Sequence, residues 1–113
     1  MPYFFYGTLT DAETLYEMLD LEEMPTLMPA VIRGGKIEMW GGKYRGLVDG
    51  DERDEVRGSM YVVQSKEHED ELRMYEGGNY EVVRCKIEVE DGETMVDGLT
   101  FRFCGDVEAL AEE

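Results

Sequence analysis

Two short stretches of this chain carry residue types whose spacing could support chemistry. The first is Tyr6-Gly7-Thr8-Leu9. A glycine here follows an aromatic run and precedes a helix start. The free N–H groups of such a turn, and of the first helical turn beyond it, would converge on one volume suited to a carboxylate or phosphate. That use predicts no room for a Cβ at Gly7 and a positive φ. The second stretch is 72–80, centred on Glu76-Gly77-Gly78. His68, Leu72 and Glu76 are four apart, so they share one face of a helix. If Leu72 faces the core, Glu76 faces the same way one turn later, at the helix C-terminus. The negative end of the helix dipole and apolar surroundings both raise a carboxylate's pKa. A glutamate titrating near neutrality is what general acid–base catalysis requires. In so acidic a chain the competing expectation is a glutamate that simply faces water.

The elements that must position these residues are legible in outline. Tyr3 to Tyr6 is aromatic with strong β preference and reads as a buried strand. Thr10 with Glu13 fits a capping box opening a helix over 11–19, with Leu15, Met18 and Leu19 on its inner face. Strands are predicted over 26–32, with Pro29 at an edge or bulge, and over 36–40, 43–48 and 56–63. Ser65 is the N-cap candidate for a helix over 66–75 whose first half is acidic. Gly77-Gly78 stops it. A hairpin follows, 80–89 and 95–103, turning at Asp91-Gly92. A short helical piece over 107–111 is expected after Asp106. Many short strands broken by glycine, with two helices inserted, predict an α+β fold on a small mixed, mostly antiparallel β-barrel. The pairs Gly34-Gly35 and Gly41-Gly42 are the expected barrel corners.

Composition narrows the function classes. The 113 residues are expected to form one domain, 1–113. Against 11 basic side chains stand 27 acidic ones, a net charge of −16. Such a polyanion is repelled by nucleic acids and anionic lipid, so neither is an expected partner. No apolar run approaches the roughly 20 residues of a membrane span, and no secretory signal is read at the start. Cys85 and Cys104 lack metal-ligand spacing; both are read as reduced, buried strand thiols of a cytoplasmic protein. The acidic run 49–55 lacks the spacing of a calcium loop, with Arg53 inside it. His68, the one histidine, is read as a half-exposed helix residue. No metal-ligand cluster is read from these residues.

Taken together, five segments in order resemble the gamma-glutamyl cyclotransferase-like family. Phe5-Tyr6-Gly7-Thr8-Leu9 resembles its Tyr-Gly-Thr-Leu motif. Gly42-Lys43-Tyr44-Arg45-Gly46-Leu47-Val48 is similar to its Tyr-Pro-Ala-Leu-Val stretch, and Val56-Arg57-Gly58-Ser59-Met60-Tyr61 to its Val-x-Gly-x-x-Tyr strand. Tyr75-Glu76-Gly77-Gly78-Asn79-Tyr80 resembles its Leu-Asp-x-Tyr-Glu-Gly-x-x-Tyr segment. Cys85-Lys86-Ile87 and Gly98-Leu99-Thr100-Phe101, followed by Gly105-Asp106, are closest to members from filamentous fungi. Arg73 stands where the family often has aspartate, and Arg45-Gly46 where Pro-Ala is usual.

The resemblance implies a cofactor-free intramolecular aminolysis. The α-amino group of a γ-glutamyl compound attacks its own γ-carbonyl, giving 5-oxoproline and a free amine or amino acid. It implies that Glu76 is the acid/base residue and that Tyr6, Gly7, Thr8 and Leu9 form the substrate-binding loop. Tyr44 and Tyr80 are further substrate-contact candidates, with core packing as the competing role. The alternative reading is a catalytically inactive member that binds a small ligand.

Overall fold

A computed structural model describes residues 1–40, 44–90, 92 and 94–105, apart from the side chains of Thr8, Trp40 and Tyr44. The fold is built outward from β1 (Pro2–Phe5), where Tyr3, Phe4 and Phe5 are all but inaccessible to water. Successive strand residues point to opposite faces, so β1 feeds two cores at once. Tyr3 and Phe5 enter one with Leu9, Leu15, Leu19, Leu72 and Phe101. Phe4 and the following Tyr6 enter the other with Ala30, Ile32, Leu47, Val56, Met60 and Ile87. A strand buried on both faces explains why its sequence is a continuous aromatic run rather than an alternating one.

The remaining strands are β2 (Met28–Arg33), β3 (Gly35–Trp40), β4 (Tyr44–Asp49), β5 (Glu55–Val62), β6 (Tyr80–Val89) and β7 (Met95–Phe103). Five of them close a barrel in the order β1-β5-β2-β6-β7. Its pairings are antiparallel except β1 with β7, which run parallel at Tyr3↔Leu99. At that seam the Thr100 hydroxyl donates to the Phe4 carbonyl at 3.0 Å. Gly58 sits where β5 crosses β1: a Cβ there would lie 2.1 Å from the Phe5 carbonyl oxygen, so only glycine lets the strands approach.

The predicted barrel is thus present, with one correction. β3 and β4 pair only with each other, Gly35↔Asp49 to Trp40↔Tyr44, as a separate two-stranded sheet. Gly34-Gly35 is therefore not a barrel corner but the point where the chain leaves the barrel for this hairpin. The predicted turn at Gly41-Gly42 and the helical piece 107–111 lie outside the described residues. Pro29 stands at no barrel edge, since closure leaves none; it falls near the start of β2, before the pairing of Ala30 with Val89.

A 3-10 turn (Thr8–Thr10) and helix α1 (Ala12–Met18) follow β1. The N-cap of α1 is Asp11, not Thr10. Asp11 accepts from the Glu13 N–H at 3.2 Å and from the Thr14 hydroxyl at 3.0 Å. Thr10 instead turns its hydroxyl back to the Gly7 carbonyl at 2.7 Å. Aspartate with a threonine three residues on outcompetes the capping box because its two carboxylate oxygens satisfy two donors.

Helix α2 (Lys66–Glu76) starts as expected, with the Ser65 hydroxyl oxygen accepting from the His68 N–H at 3.2 Å. It ends at Gly77, whose φ of +80° is a conformation glycine adopts without cost. Leu72 pins its middle in the core, and the Tyr3 hydroxyl donates to Glu69 at 2.8 Å from β1. Burial, with the Glu69 carboxylate second, pushes that phenol up to about 12. No helix among the described residues is long and apolar enough to cross a membrane.

Candidate active site

Glu76 is the last residue of α2. One turn earlier Leu72 is fully buried, and this fixes the direction in which Glu76 points. Its side chain is half-buried, and burial raises its carboxyl from 4.5 to about 7. Desolvation is the cause; taking a carboxylate out of water disfavours the charged form.

Tyr6, at the opposite end of the sequence, lies within electrostatic reach of this carboxylate. Its hydroxyl is held well above the ordinary phenol range. Burial is the largest cause; the Leu47 N–H opposes it, and the charges of Tyr80 and Glu76 add to it. The Tyr6 hydroxyl donates to the Phe101 carbonyl of β7 at 2.6 Å and accepts from the Leu47 N–H of β4 at 3.1 Å. The Tyr80 hydroxyl donates to the Arg45 carbonyl of β4 at 2.7 Å, with its ring edge-on to Phe103. The fold therefore gathers Glu76, Tyr6 and Tyr80 from α2, the end of β1 and β6.

The other predicted site residues divide. Gly7 is exposed and follows Tyr6 directly, so its backbone lies beside the cluster. The expectation that it has no room for a Cβ is wrong. Nothing stands within 4 Å of the position a Cβ would take, and φ is not positive. The reason is the 3-10 turn, which redirects the chain without a left-handed residue and leaves Gly7 facing open space. The helix dipole is also further away than expected, because that turn separates Gly7 from α1 and the Gly7 carbonyl already accepts the Thr10 N–H at 3.1 Å. Leu9 keeps its side chain in the core, 2% exposed, so only its backbone is available. The side chains of Thr8 and Tyr44 lie outside the described residues.

Leu47 and Arg45 are the residues the sequence reading missed. Their part is played by backbone N–H and C=O groups, which no side-chain pattern reveals. His68 is half-buried, its Nδ1 shielded from water without a hydrogen-bond partner among the described residues. Both cysteines are free; Cys85 is half-buried and burial lifts its thiol to about 11, whereas Cys104 lies just past β7 and is exposed rather than buried. No group of three or more metal-ligating side chains occurs among the described residues. A surface groove of about 610 Å³, lined by Met24, Met28, Met60 and Val62 among others, contains none of the predicted site residues.

A family model described as "Gamma-glutamyl cyclotransferase, AIG2-like" matches residues 3–111. The chain belongs to this gamma-glutamyl cyclotransferase, AIG2-like family. No curated protein matches it. Among solved structures it is similar to the Arabidopsis thaliana protein At5g39720.1, at 28% identity and a TM-score of 0.78 over 99% of this chain and 75% of that one. Another A. thaliana protein, At3g28950.1, matches at 23% identity and 0.77 over 90% of this chain; this chain spans 61% of that protein's length. A structure titled gamma-glutamyl cyclotransferase matches at 18% identity and 0.76, over 92% of this chain and 66% of that one. These likenesses establish the fold.

Proposed function

We propose that the protein is a cyclotransferase that converts a γ-glutamyl compound into 5-oxoproline and a free amine or amino acid. The observation that supports this reading is Glu76, half-buried at the C-terminus of α2 and within electrostatic reach of Tyr6, which leads into the Gly7–Leu9 turn; burial raises its carboxyl to about 7. Near neutral pH such a carboxylate is available in both protonation states, as a group that must accept and then donate a proton has to be.

In the proposed reaction Glu76 takes a proton from the substrate's α-ammonium. The freed amine attacks the γ-carbonyl carbon, forming the lactam C–N bond. The tetrahedral oxyanion is held by backbone N–H groups of the turn at Gly7, Thr8 and Leu9. Its collapse breaks the bond to the leaving nitrogen, which receives the first proton from Glu76, while the second proton of the attacking nitrogen passes through the same carboxylate to the departing amine, which leaves as its ammonium form. No water is consumed and no redox change occurs, so the chemistry needs only positioning and one proton shuttle.

The same reading makes the partner a small molecule and the compartment the cytoplasm. A net charge of −16 argues against nucleic acid and anionic membrane, and two free thiols suit a reducing environment. A panel of γ-glutamyl amino acids and amines, assayed for 5-oxoproline by mass spectrometry, tests the proposal. Release from at least one member is expected. Saturable binding across the panel without any release would favour the ligand-binding alternative.

A further inference from the structure

The β3–β4 hairpin poses a structural problem that the barrel does not. β4 pairs with β3 along one edge; its other edge lies near β7 but, among the described residues, is paired with no strand. In an antiparallel pair, alternate residues turn both N–H and C=O away from the partner strand. Arg45 and Leu47 are two such positions, on the same outer edge of β4. Both find a tyrosine hydroxyl in place of a strand. Tyr80 donates to the Arg45 carbonyl at 2.7 Å, and Tyr6 accepts from the Leu47 N–H at 3.1 Å while donating to Phe101 in β7 at 2.6 Å.

We propose that Tyr6 and Tyr80 are positioning residues whose hydroxyls clamp the outer edge of β4 to the barrel, making the hairpin a fixed wall of the Glu76 site. This rests on the cyclotransferase reading only for what the site does; the clamp itself is a matter of geometry. One hydroxyl comes from the residue that follows β1 and the other from β6, and they grip alternate residues, so together they fix both position and tilt of β4. The side chain of Leu47 adds a plug, 5% exposed among Phe4, Tyr6 and Ile87. The Arg102–Asp49 pair at 3.1 Å also bridges β7 to the end of β4, but on the surface, where such pairs contribute little. The ionisable groups gathered at the clamp are Tyr6 just after β1, Tyr80 from β6, Glu76 from α2 and Arg45 from β4, whose side chain is exposed. A wall held in place keeps water from Glu76, in keeping with its titration being raised by desolvation.

The test uses Tyr80→Phe, which keeps the ring against Phe103 and removes the donor. Two readouts are independent of turnover: amide hydrogen exchange along β4, and the Glu76 carboxyl titration followed by carbon NMR. Exchange in β4 should quicken about tenfold relative to β5 and β6, as expected for one hydrogen bond lost from a locally opening unit. The Glu76 midpoint should fall toward the ordinary carboxylate range. Tyr6→Phe should act in the same direction and more strongly; should it fail to fold, Tyr80→Phe alone decides. Unchanged exchange would overturn the clamp, and faster exchange with an unmoved Glu76 midpoint would overturn the assignment of the hairpin as the site's wall. If β4 and Glu76 respond but the wild type never releases 5-oxoproline, the clamp stands and the proposed reaction falls.

Discussion

Glu76, the last residue of α2, lies within electrostatic reach of Tyr6, the residue that follows β1. Each is desolvated, and each follows a fully buried residue of the adjoining element, Leu72 in α2 and Phe4 in β1. This single juxtaposition joins the two segments that alone look chemical in the sequence.

Burial of Glu76 has a thermodynamic signature. Its carboxyl titrates near 4.5 unfolded and about 7 folded. Between these values the native state binds more protons than the unfolded state, so stability falls as pH rises. The contribution is fully present below about 4.5 and gone above about 7. Glu76→Gln should therefore match the wild type in melting temperature at pH 4 and exceed it at pH 8, by roughly 2 kcal/mol after allowance for residual solvation. Parallel thermal scans at the two pH values check this, and equal curves at pH 8 would mean a solvated carboxylate.

At Gly7 the open space recasts what a methyl group would do. Gly7→Ala should change stability by less than about 1 kcal/mol, the scale of the unfolded-state effect. If the space belongs to substrate, the same methyl should raise KM well beyond that stability change. Denaturant titration beside steady-state kinetics separates the two, and an unaffected KM would remove Gly7 from the binding loop.

Tyr3→Phe deletes the hydroxyl that reaches Glu69 and leaves the ring in place. A net hydrogen bond to a carboxylate is worth about 1.5–3 kcal/mol, and turnover per folded molecule should hardly change. A large loss of activity instead would show that α2 is positioned by this bond and not chiefly by Leu72.

Gly58→Ala should be far more costly, about 3 kcal/mol at the upper end of overpacking. Its Cβ would strike the Phe5 carbonyl and the Phe4 ring, and backbone cannot yield as a side-chain tip can. Urea denaturation reads this directly.

How much of this was legible beforehand follows from where the signals lie. The β6–β7 hairpin was read to the residue, because a long alternating run around an Asp-Gly signal leaves little freedom. The course of α2 and the direction of Glu76 followed from the Ser65 cap, Leu72 and Gly77. The cap of α1 was misread by one residue because Thr10 and Asp11 both can cap, and the choice is made by side-chain geometry. The separate β3–β4 sheet could not be foreseen: its strands pattern like barrel strands, and what sets them apart is two hydroxyl-to-backbone bonds from distant tyrosines. Gly7 was misjudged because a glycine that faces open space and one that supplies a left-handed turn look alike in sequence.

The central claim is that Glu76 moves the proton. Its most direct test is the rate of 5-oxoproline release from the best γ-glutamyl substrate by the wild type and by Glu76→Gln, each confirmed folded. The account predicts a loss of about 10²–10⁴-fold, the usual contribution of a general acid–base group, with wild-type release rising through a midpoint near 7. Retention of wild-type turnover by Glu76→Gln would contradict it.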